Sequence, residues 1–299
     1  MPSRPEWVER IRNLIASLAV VGAVGTGAFL TAPAPDSDDV LRVGAFNIQV
    51  FGQTKLAKQA VVDVLVETAQ QFDLLAVEEV RDSTEMVADE FLARLNEQAE
   101  SEYVMFEGER LGRSSSKEQY VLYYLPSRLQ LVRAFTLPDP NDVFEREPLV
   151  ATFRAGNFDF TLLVCHIKPE AADAELVALR DAALSVLEAD PDEADIIFLG
   201  DFNADGSYLD ESHRLFQILP TNQFDVAIAN DMVTTTISQN TYDRIVLLPA
   251  TSGHEYILGS AQPFRFDTSF GLTDPALIRA VSDHYPVFAR FRTDLEDDD

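Results

Sequence analysis

The residues in this chain that can do chemistry sit where apolar segments end. Asn47 closes the stretch from Leu41, Glu79 follows Leu74 to Val77, and His166 follows Phe158 to Cys165. Asp201 and Asn203 follow Ile196 to Leu199, and Asp283 and His284 precede Pro286 to Phe291. Polar groups at strand ends gather on one rim of a sheet, where loops are free to carry function and strands hold them rigidly. One Asn or Asp in such a place is ordinarily a turn residue, and one His a satisfied structural group. Five such strand ends in one chain point to a shared site.

The residue types select the chemistry. Carboxylates and an amide, without HExxH, CxxC or a Cys/His cluster, suit a hard divalent cation such as Mg²⁺, Mn²⁺ or Ca²⁺ rather than Zn²⁺. Two histidines beside acidic residues suit proton transfer near neutral pH. Together they fit phosphate ester hydrolysis, in which a metal neutralises phosphoryl oxygens while imidazoles serve the nucleophile and the leaving group. The chain has no GxGxxG, GxxxxGK[ST] or GxSxG, so dinucleotide-binding, nucleoside-triphosphatase and serine-hydrolase readings lose their main support.

These residues need elements to place them. Apolar runs of strand length alternate with amphipathic segments, which predicts an α/β chain with no internal repeat. Strands are expected at 41–48, 74–80, 103–106, 119–125, 129–136, 158–166, 195–199, 244–248 and 286–291, and helices at 56–71, 84–99 and 172–188. The neighbouring strands around Pro126-Ser127 read as a hairpin, which predicts mixed rather than purely parallel sheets. With 46% hydrophobic residues, 13 Gly and 15 Pro among 299, the chain is neither disordered nor collagen-like. Its single Cys165 excludes an intramolecular disulfide and leaves the compartment open. A net charge of −27 excludes a general basic surface for polyanions, so any nucleic-acid contact must be local. The acidity suits either a protein kept soluble in concentrated salt or an ordinary acidic secreted protein.

The order and wording of the motifs resemble the deoxyribonuclease I branch of the endonuclease/exonuclease/phosphatase superfamily. The resemblance is carried by Leu-Arg-Val-Gly-Ala-Phe-Asn-Ile-Gln-Val-Phe-Gly from Leu41, Glu-Glu-Val-Arg-Asp from Glu78, Leu-Gly-Arg from Leu111, Lys117-Glu118 and Arg146-Glu147-Pro148. It continues through His166, Gly-Asp-Phe-Asn-Ala-Asp from Gly200, Tyr-Asp-Arg-Ile-Val from Tyr242 and Ser-Asp-His-Tyr-Pro-Val from Ser282. It spans Leu41 to about Phe291 and implies two packed mixed β-sheets flanked by helices, a four-layer α+β sandwich. It further implies that Glu79 is the principal metal ligand, with Asn47, Asp201, Asn203 and Asp283 around the metal and the scissile phosphate. His166 would pair with Glu118 and His284 with Asp243, one ring protonating the leaving 3′ oxygen and the other activating or orienting water. Arg81, Arg146 and Tyr242 match residues that contact DNA phosphates or shape the site. Asp142, Phe144 and Glu147, with Asp139 completing the set, match a structural Ca²⁺ site, and Thr234, Thr236 and Ser238 partly match a second.

The departures from that pattern matter too. Gln49 stands where the family has an arginine, and Ser116 where it has a tyrosine that packs into the minor groove, which weakens groove contact. Gly206 and Asn240 replace one disulfide of the mammalian enzymes, and a shortened loop near Pro138 to Asn141 replaces the other, so another device must stiffen those loops.

At the N-terminus Arg4, Arg10 and Arg12 precede an uncharged run from Leu14 to Leu30, then Thr31-Ala32-Pro33-Ala34 and an acidic linker. This reads as a signal peptide or a membrane anchor over 1–39, ahead of a catalytic domain at 40–293 and an acidic tail at 294–299. The expectation is a secreted, periplasmic or outward-facing anchored monomer. It would be a Mg²⁺- or Mn²⁺-dependent phosphodiesterase that cuts DNA with little sequence preference and has no stable protein partner. The alternatives are a phosphomonoesterase or phospholipid phosphodiesterase on the same scaffold, and a catalytically inert binding module. Retention of both imidazoles and the matched acids argues against the last.

Overall fold

The computed structural model describes residues 38–190 and 193–296; the expected leader at 14–30 and the last three residues of the acidic tail lie outside them. The strands are β1 (Val40–Phe51), β2 (Leu74–Val80), β3 (Val104–Glu107), β4 (Gln119–Tyr124), β5 (Gln130–Thr136) and β6 (Leu149–Ala155). They continue as β7 (Phe158–Val164), β8 (Ile196–Asp201), β9 (Asp225–Val226), β10 (Asp243–Leu247), β11 (Gln262–Pro263) and β12 (Val287–Arg292). The helices are α1 (Gln53–Leu56), α2 (Gln59–Ala69), α3 (Val87–Gln98), α4 (Ala172–Ala189), α5 (Arg214–Ile218), α6 (Pro249–Gly253), α7 (Phe266–Ser269) and α8 (Pro275–Val281).

The strands form two six-stranded sheets, ordered β11-β12-β1-β2-β4-β3 and β5-β6-β7-β8-β10-β9. Each is mixed: β1 runs parallel to β2 and β7 parallel to β8, while their other neighbours run antiparallel. The sheets bury their facing sides in one core, where Val43, Ala45, Ala76 and Leu122 meet Phe153, Phe160, Leu162, Ile197 and Ile245. On the outer side of the first sheet Phe46, Leu75 and Val77 pack with Val62, Leu65 and Phe91 of α2 and α3. On the outer side of the second, Leu163 and Phe198 pack with Leu176 and Leu179 of α4. Both faces of each sheet are covered, so the central strands read as near-continuous apolar runs rather than as an alternation. The expected four-layer sandwich is the observed fold.

Four details differ from the sequence reading. The strands around Pro126-Ser127 are not a hairpin: β4 belongs to the first sheet and β5 to the second. Leu129, 3% exposed, is drawn into the core between the sheets, so the chain crosses from one layer to the other there. The helix expected over 56–71 breaks at Ala57-Lys58, where Lys58 takes an extended conformation before α2. β6 was not expected; it lies between β5 and β7, and Thr152 and Arg154 interrupt its apolar signal. α8 was missed although Asp274 caps it, accepting from the Ala276 N–H, and Pro275 opens it, a start signal legible in the sequence.

Candidate active site

Strand direction brings the polar strand ends together. β1 and β2 are parallel, as are β7 and β8, so Glu79, His166 and Asp201 at or just beyond C-terminal ends, and Asn47 where the regular β1–β2 pairing stops, share one rim. β4, β10 and β12 run antiparallel to β2, β8 and β1, so the residues at their beginnings, Glu118, Asp243 and Asp283-His284, reach the same rim. Asp243 faces Asp201 directly in register.

Each histidine is held from behind by a carboxylate. His166 Nδ1 lies 2.7 Å from Glu118 Oε1, and His284 Nδ1 lies 2.8 Å from Asp243 Oδ2. That leaves Nε2 of both rings aimed at one atom: Asp201 Oδ2 is 3.7 Å from His166 Nε2 and 3.5 Å from His284 Nε2. Both rings are buried, at 5% and 7% exposure. Burial alone would discharge His284, but Asp243, Asp201 and Asp283 outweigh it and hold the imidazole pKa well above its ordinary value.

Glu118 is gripped by three cations or potential cations. Arg146 Nε lies 2.7 Å from Oε1, Arg81 Nη2 lies 3.0 Å from Oε2, and His166 completes the set. Burial opposes ionisation of Glu118, yet these partners prevail and hold its carboxyl down to about 2. A depressed carboxyl stabilises the fold fully above its unfolded value and loses that contribution as pH falls towards the folded one. Glu118→Gln should therefore cost up to about 3 kcal/mol near neutrality, a deficit that shrinks between pH 5 and 2. Thermal melts of both proteins across that range would show it, and a deficit constant with pH would refute it.

The candidate metal ligands fit a Mg²⁺-type site in part. Such ions commonly take one or two carboxylates and complete their shell with substrate phosphate and water. Glu79 Oε2 accepts the Val50 N–H at 2.9 Å and pairs with Arg81 Nη2 at 3.0 Å. Asp283 Oδ2 accepts from Gln49 Nε2 at 2.9 Å, while its buried Oδ1 has no hydrogen-bond partner. Asn47 departs from the expected ligand role. Its amide nitrogen bridges Glu79 Oε1 at 3.2 Å and Asp201 Oδ2 at 3.0 Å, and its oxygen accepts the Gln49 N–H, so it braces the carboxylates. Asp201, Asp243 and His284 form the one His/Cys/Asp/Glu trio among the described residues with ligand atoms within 4.8 Å of one another. Asp243 already holds the back of that imidazole, so the trio's outward-facing members are Asp201 and His284. Backbone strain marks the same place: Gln49, Val50, Glu79 and Asn203 all have positive φ, from 43° to 60°, a region costly for non-glycine residues and commonest at functional sites.

Asn203 donates from its side chain to the Ile167 carbonyl at 2.9 Å, and its N–H donates to Asp201 Oδ1. Tyr242 lies between Tyr208, 5.6 Å away, and His284, 6.2 Å away, measured between ring centroids. Of the two roles expected for Arg146, contact with DNA phosphates or shaping the site, its position suits the second: its side chain is 11% exposed and bonds Glu118 and the His166 carbonyl. Arg81, at 28%, stays at the mouth. Sequence reasoning passed over Glu78, which is fully buried and accepts the Asp201 N–H with both oxygens, at 3.2 and 3.1 Å. Burial, with Asp201 and Asp243 nearby, pushes its carboxyl pKa well above the ordinary value. Two consecutive glutamates in a strand were the available signal, because alternation must turn one of them inward.

The expected Ca²⁺ residues do not fit that ion in this arrangement. Arg113 Nη2 donates to the Asp142 carbonyl, to Asp142 Oδ1 at 3.0 Å and to the Phe144 carbonyl at 2.9 Å, occupying the oxygens an ion would need. Asp139 Oδ2 accepts the Phe144 N–H, and Asp139, Asp142 and Glu147 are not among the converging acidic groups. In the second partial match, Thr234 Oγ1 accepts the Tyr242 and Asp243 N–H groups, Thr236 Oγ1 donates to the Ser282 carbonyl, and Ser238 pairs with Thr235. Hydrogen bonds also stand where a disulfide would join positions 206 and 240. Asp205 Oδ2 accepts the Thr241 N–H, and the fully buried Arg244 ties the Ala204 and Ile228 carbonyls to Asn230.

Residues 44–284 match the profile of the Endonuclease/Exonuclease/phosphatase family. The chain is 35% identical over 257 residues to Deoxyribonuclease-1 of Oryctolagus cuniculus, covering 83% of this chain and 91% of the relative. It is 36% identical over 259 residues to Deoxyribonuclease-1 of Homo sapiens, covering 83% and 90%. Among solved structures, the human Nocturnin catalytic domain with bound sulfate anion superposes with a TM-score of 0.60 at 20% identity, over 85% of this chain and 93% of that one, a likeness of fold.

Proposed function

Because this chain belongs to the endonuclease/exonuclease/phosphatase family, whose deoxyribonuclease-1 members it matches over most of its length, we propose that it is a Mg²⁺- or Mn²⁺-dependent phosphodiesterase that hydrolyses DNA with little sequence preference. The observation that carries the proposal is the pair of carboxylate-backed imidazoles with both Nε2 atoms facing the same Asp201 oxygen. A phosphodiester needs a proton taken from water and a proton given to the leaving oxygen, and two oriented rings supply both roles. Glu118 and Asp243 fix each ring and leave Nε2 to the reaction.

Glu79, with Asp201 and Asp283 beside it, would hold the divalent ion, with Asn47 bracing the first two carboxylates and Gln49 the third. When bound, the ion supplies positive charge to the phosphoryl oxygens as negative charge builds there. Asn203 and Arg81 orient the phosphate, and Tyr242 offers a ring face beside His284. Arg146 acts as a positioning residue for Glu118. In a protein of net charge −27 the substrate backbone is admitted only where an ion and a few arginines offset the field, which calls for steep dependence on metal concentration. Without groove-binding residues at Gln49 and Ser116, contact rests on the phosphates, which favours weak sequence preference.

We further propose export, with residues 1–39 as leader or anchor, 40–293 as the catalytic domain of a monomer and 294–299 as a solvated tail. Among the described residues no helix is long and apolar enough to cross a membrane. A phosphomonoesterase or phospholipid phosphodiesterase is the second reading, favoured by the net charge of −27 and by Ser116 in place of an aromatic. A panel of supercoiled DNA, RNA, a phosphomonoester and sphingomyelin vesicles decides between them. The expected result is Mg²⁺-dependent nicking of DNA, abolished by EDTA. Turnover of monoester or lipid with DNA left intact would overturn the proposal.

A further inference from the structure

Lys55 alone among the four lysines is buried, at 8% exposure. Its Nζ donates to the Ile48 carbonyl at 2.6 Å, the Gln49 carbonyl at 2.6 Å and the Val281 carbonyl at 3.0 Å. An ammonium has three N–H donors, so all are used and none is left for a substrate. Burial lowers the Lys55 pKa to about 8, against the opposing pull of Asp283 and Glu79.

The acceptors lie on the two segments that carry the site. Ile48 and Gln49 follow Asn47 and lead into Val50, whose N–H holds Glu79 Oε2, while the Gln49 side chain holds Asp283 Oδ2. Gln49 and Val50 take φ of 43° and 53°, and for the β-branched Val50 that conformation persists only if neighbours impose it. Val281 ends α8, two residues before Asp283, and a cation at a helix C-terminus is favourably placed. Ser282 adds a neutral stitch beside the charged one: its Oγ donates to the Asn47 carbonyl at 2.7 Å and accepts the His284 N–H.

We propose that Lys55 is a positioning residue that clamps the Ile48-Gln49 turn to the end of α8, setting Glu79, Asp283 and His284 at the mutual spacing a divalent ion and a phosphodiester require. The inference rests on the function proposed above and deepens it. Charge-assisted hydrogen bonds to three carbonyls make a rigid joint, and loss of such outer supports ordinarily costs a metal site roughly 10- to 100-fold in affinity or activity.

The test uses Lys55→Met, which removes all three donors, and Lys55→Gln, which keeps two and is the milder change for folding. Mn²⁺ affinity is measured by calorimetry without substrate, and kcat and KM are measured separately by DNA nicking. Both variants should bind Mn²⁺ roughly 10- to 100-fold more weakly, with kcat reduced and KM for DNA nearly unchanged. Leu179→Ala, a cavity under α4 in a core cluster separate from that of Ile48 and Val281, serves as a control that lowers the melting temperature without moving Mn²⁺ affinity. Wild-type Mn²⁺ affinity and kcat in whichever variant folds overturn the Lys55 role alone. A wild-type protein that neither binds Mn²⁺ nor nicks DNA overturns the function beneath it.

Discussion

Replacing His284 with alanine should lower plasmid nicking by ~10²–10⁴-fold, the usual worth of a positioned general acid or base, and His166→Ala should do the same. The two effects are expected to be similar because the two rings are built alike. Each is buried, each is backed at Nδ1 by a carboxylate under 3 Å away, and each turns Nε2 to Asp201. Folding should survive both changes. In His284→Ala the Asp243 carboxyl, already raised in pKa by burial, takes up a proton rather than remaining as an unpaired buried charge. In His166→Ala the Glu118 carboxylate keeps Arg81 and Arg146. Circular dichroism of both variants should match the wild type, and full activity in either would contradict the account.

The parts of this site written in single residues were legible in the sequence. Strand ends advertised Asn47, Glu79, His166, Asp201 and Asp283-His284, because a polar residue closing an apolar run has to lie on a rim. The pairings were not legible from periodicity. Glu118 and His166 are 48 residues apart, and Asp243 and His284 are 41 apart; only the motif resemblance joined them. Facing direction was harder still. Arg146 was matched to residues that contact DNA phosphates or shape the site, yet the chain turns it inward behind Glu118, where the carboxylate and the His166 carbonyl offset the cost of burying its charge. Glu78 and Glu79 differ only in which way the strand pleat points them, and a positive φ at Glu79 sets its side chain apart from the regular alternation. The crossing at Pro126-Ser127 misled for a related reason: a turn signal fixes a change of direction but not which sheet the next strand joins.

Glu79→Gln should reduce nicking on the order of 10²–10³-fold at millimolar Mg²⁺, the scale of losing one electrostatic stabiliser of a transition state. The carboxylate suits the proposed ion: one oxygen takes the strained Val50 N–H, the other faces the Asn47 amide that also touches Asp201, and Arg81 competes for its charge. Glutamine keeps the size and much of the hydrogen bonding while removing the charge, so raising Mg²⁺ should recover part of the rate. The same pair of proteins supplies the decisive measurement. Crystals soaked with Mn²⁺ and a non-hydrolysable phosphodiester should give an anomalous peak at Glu79 in the wild type, a phosphate between the Nε2 atoms of His166 and His284, and no peak in Glu79→Gln. Manganese bound only elsewhere, or a phosphate out of reach of both rings, would contradict the proposed site.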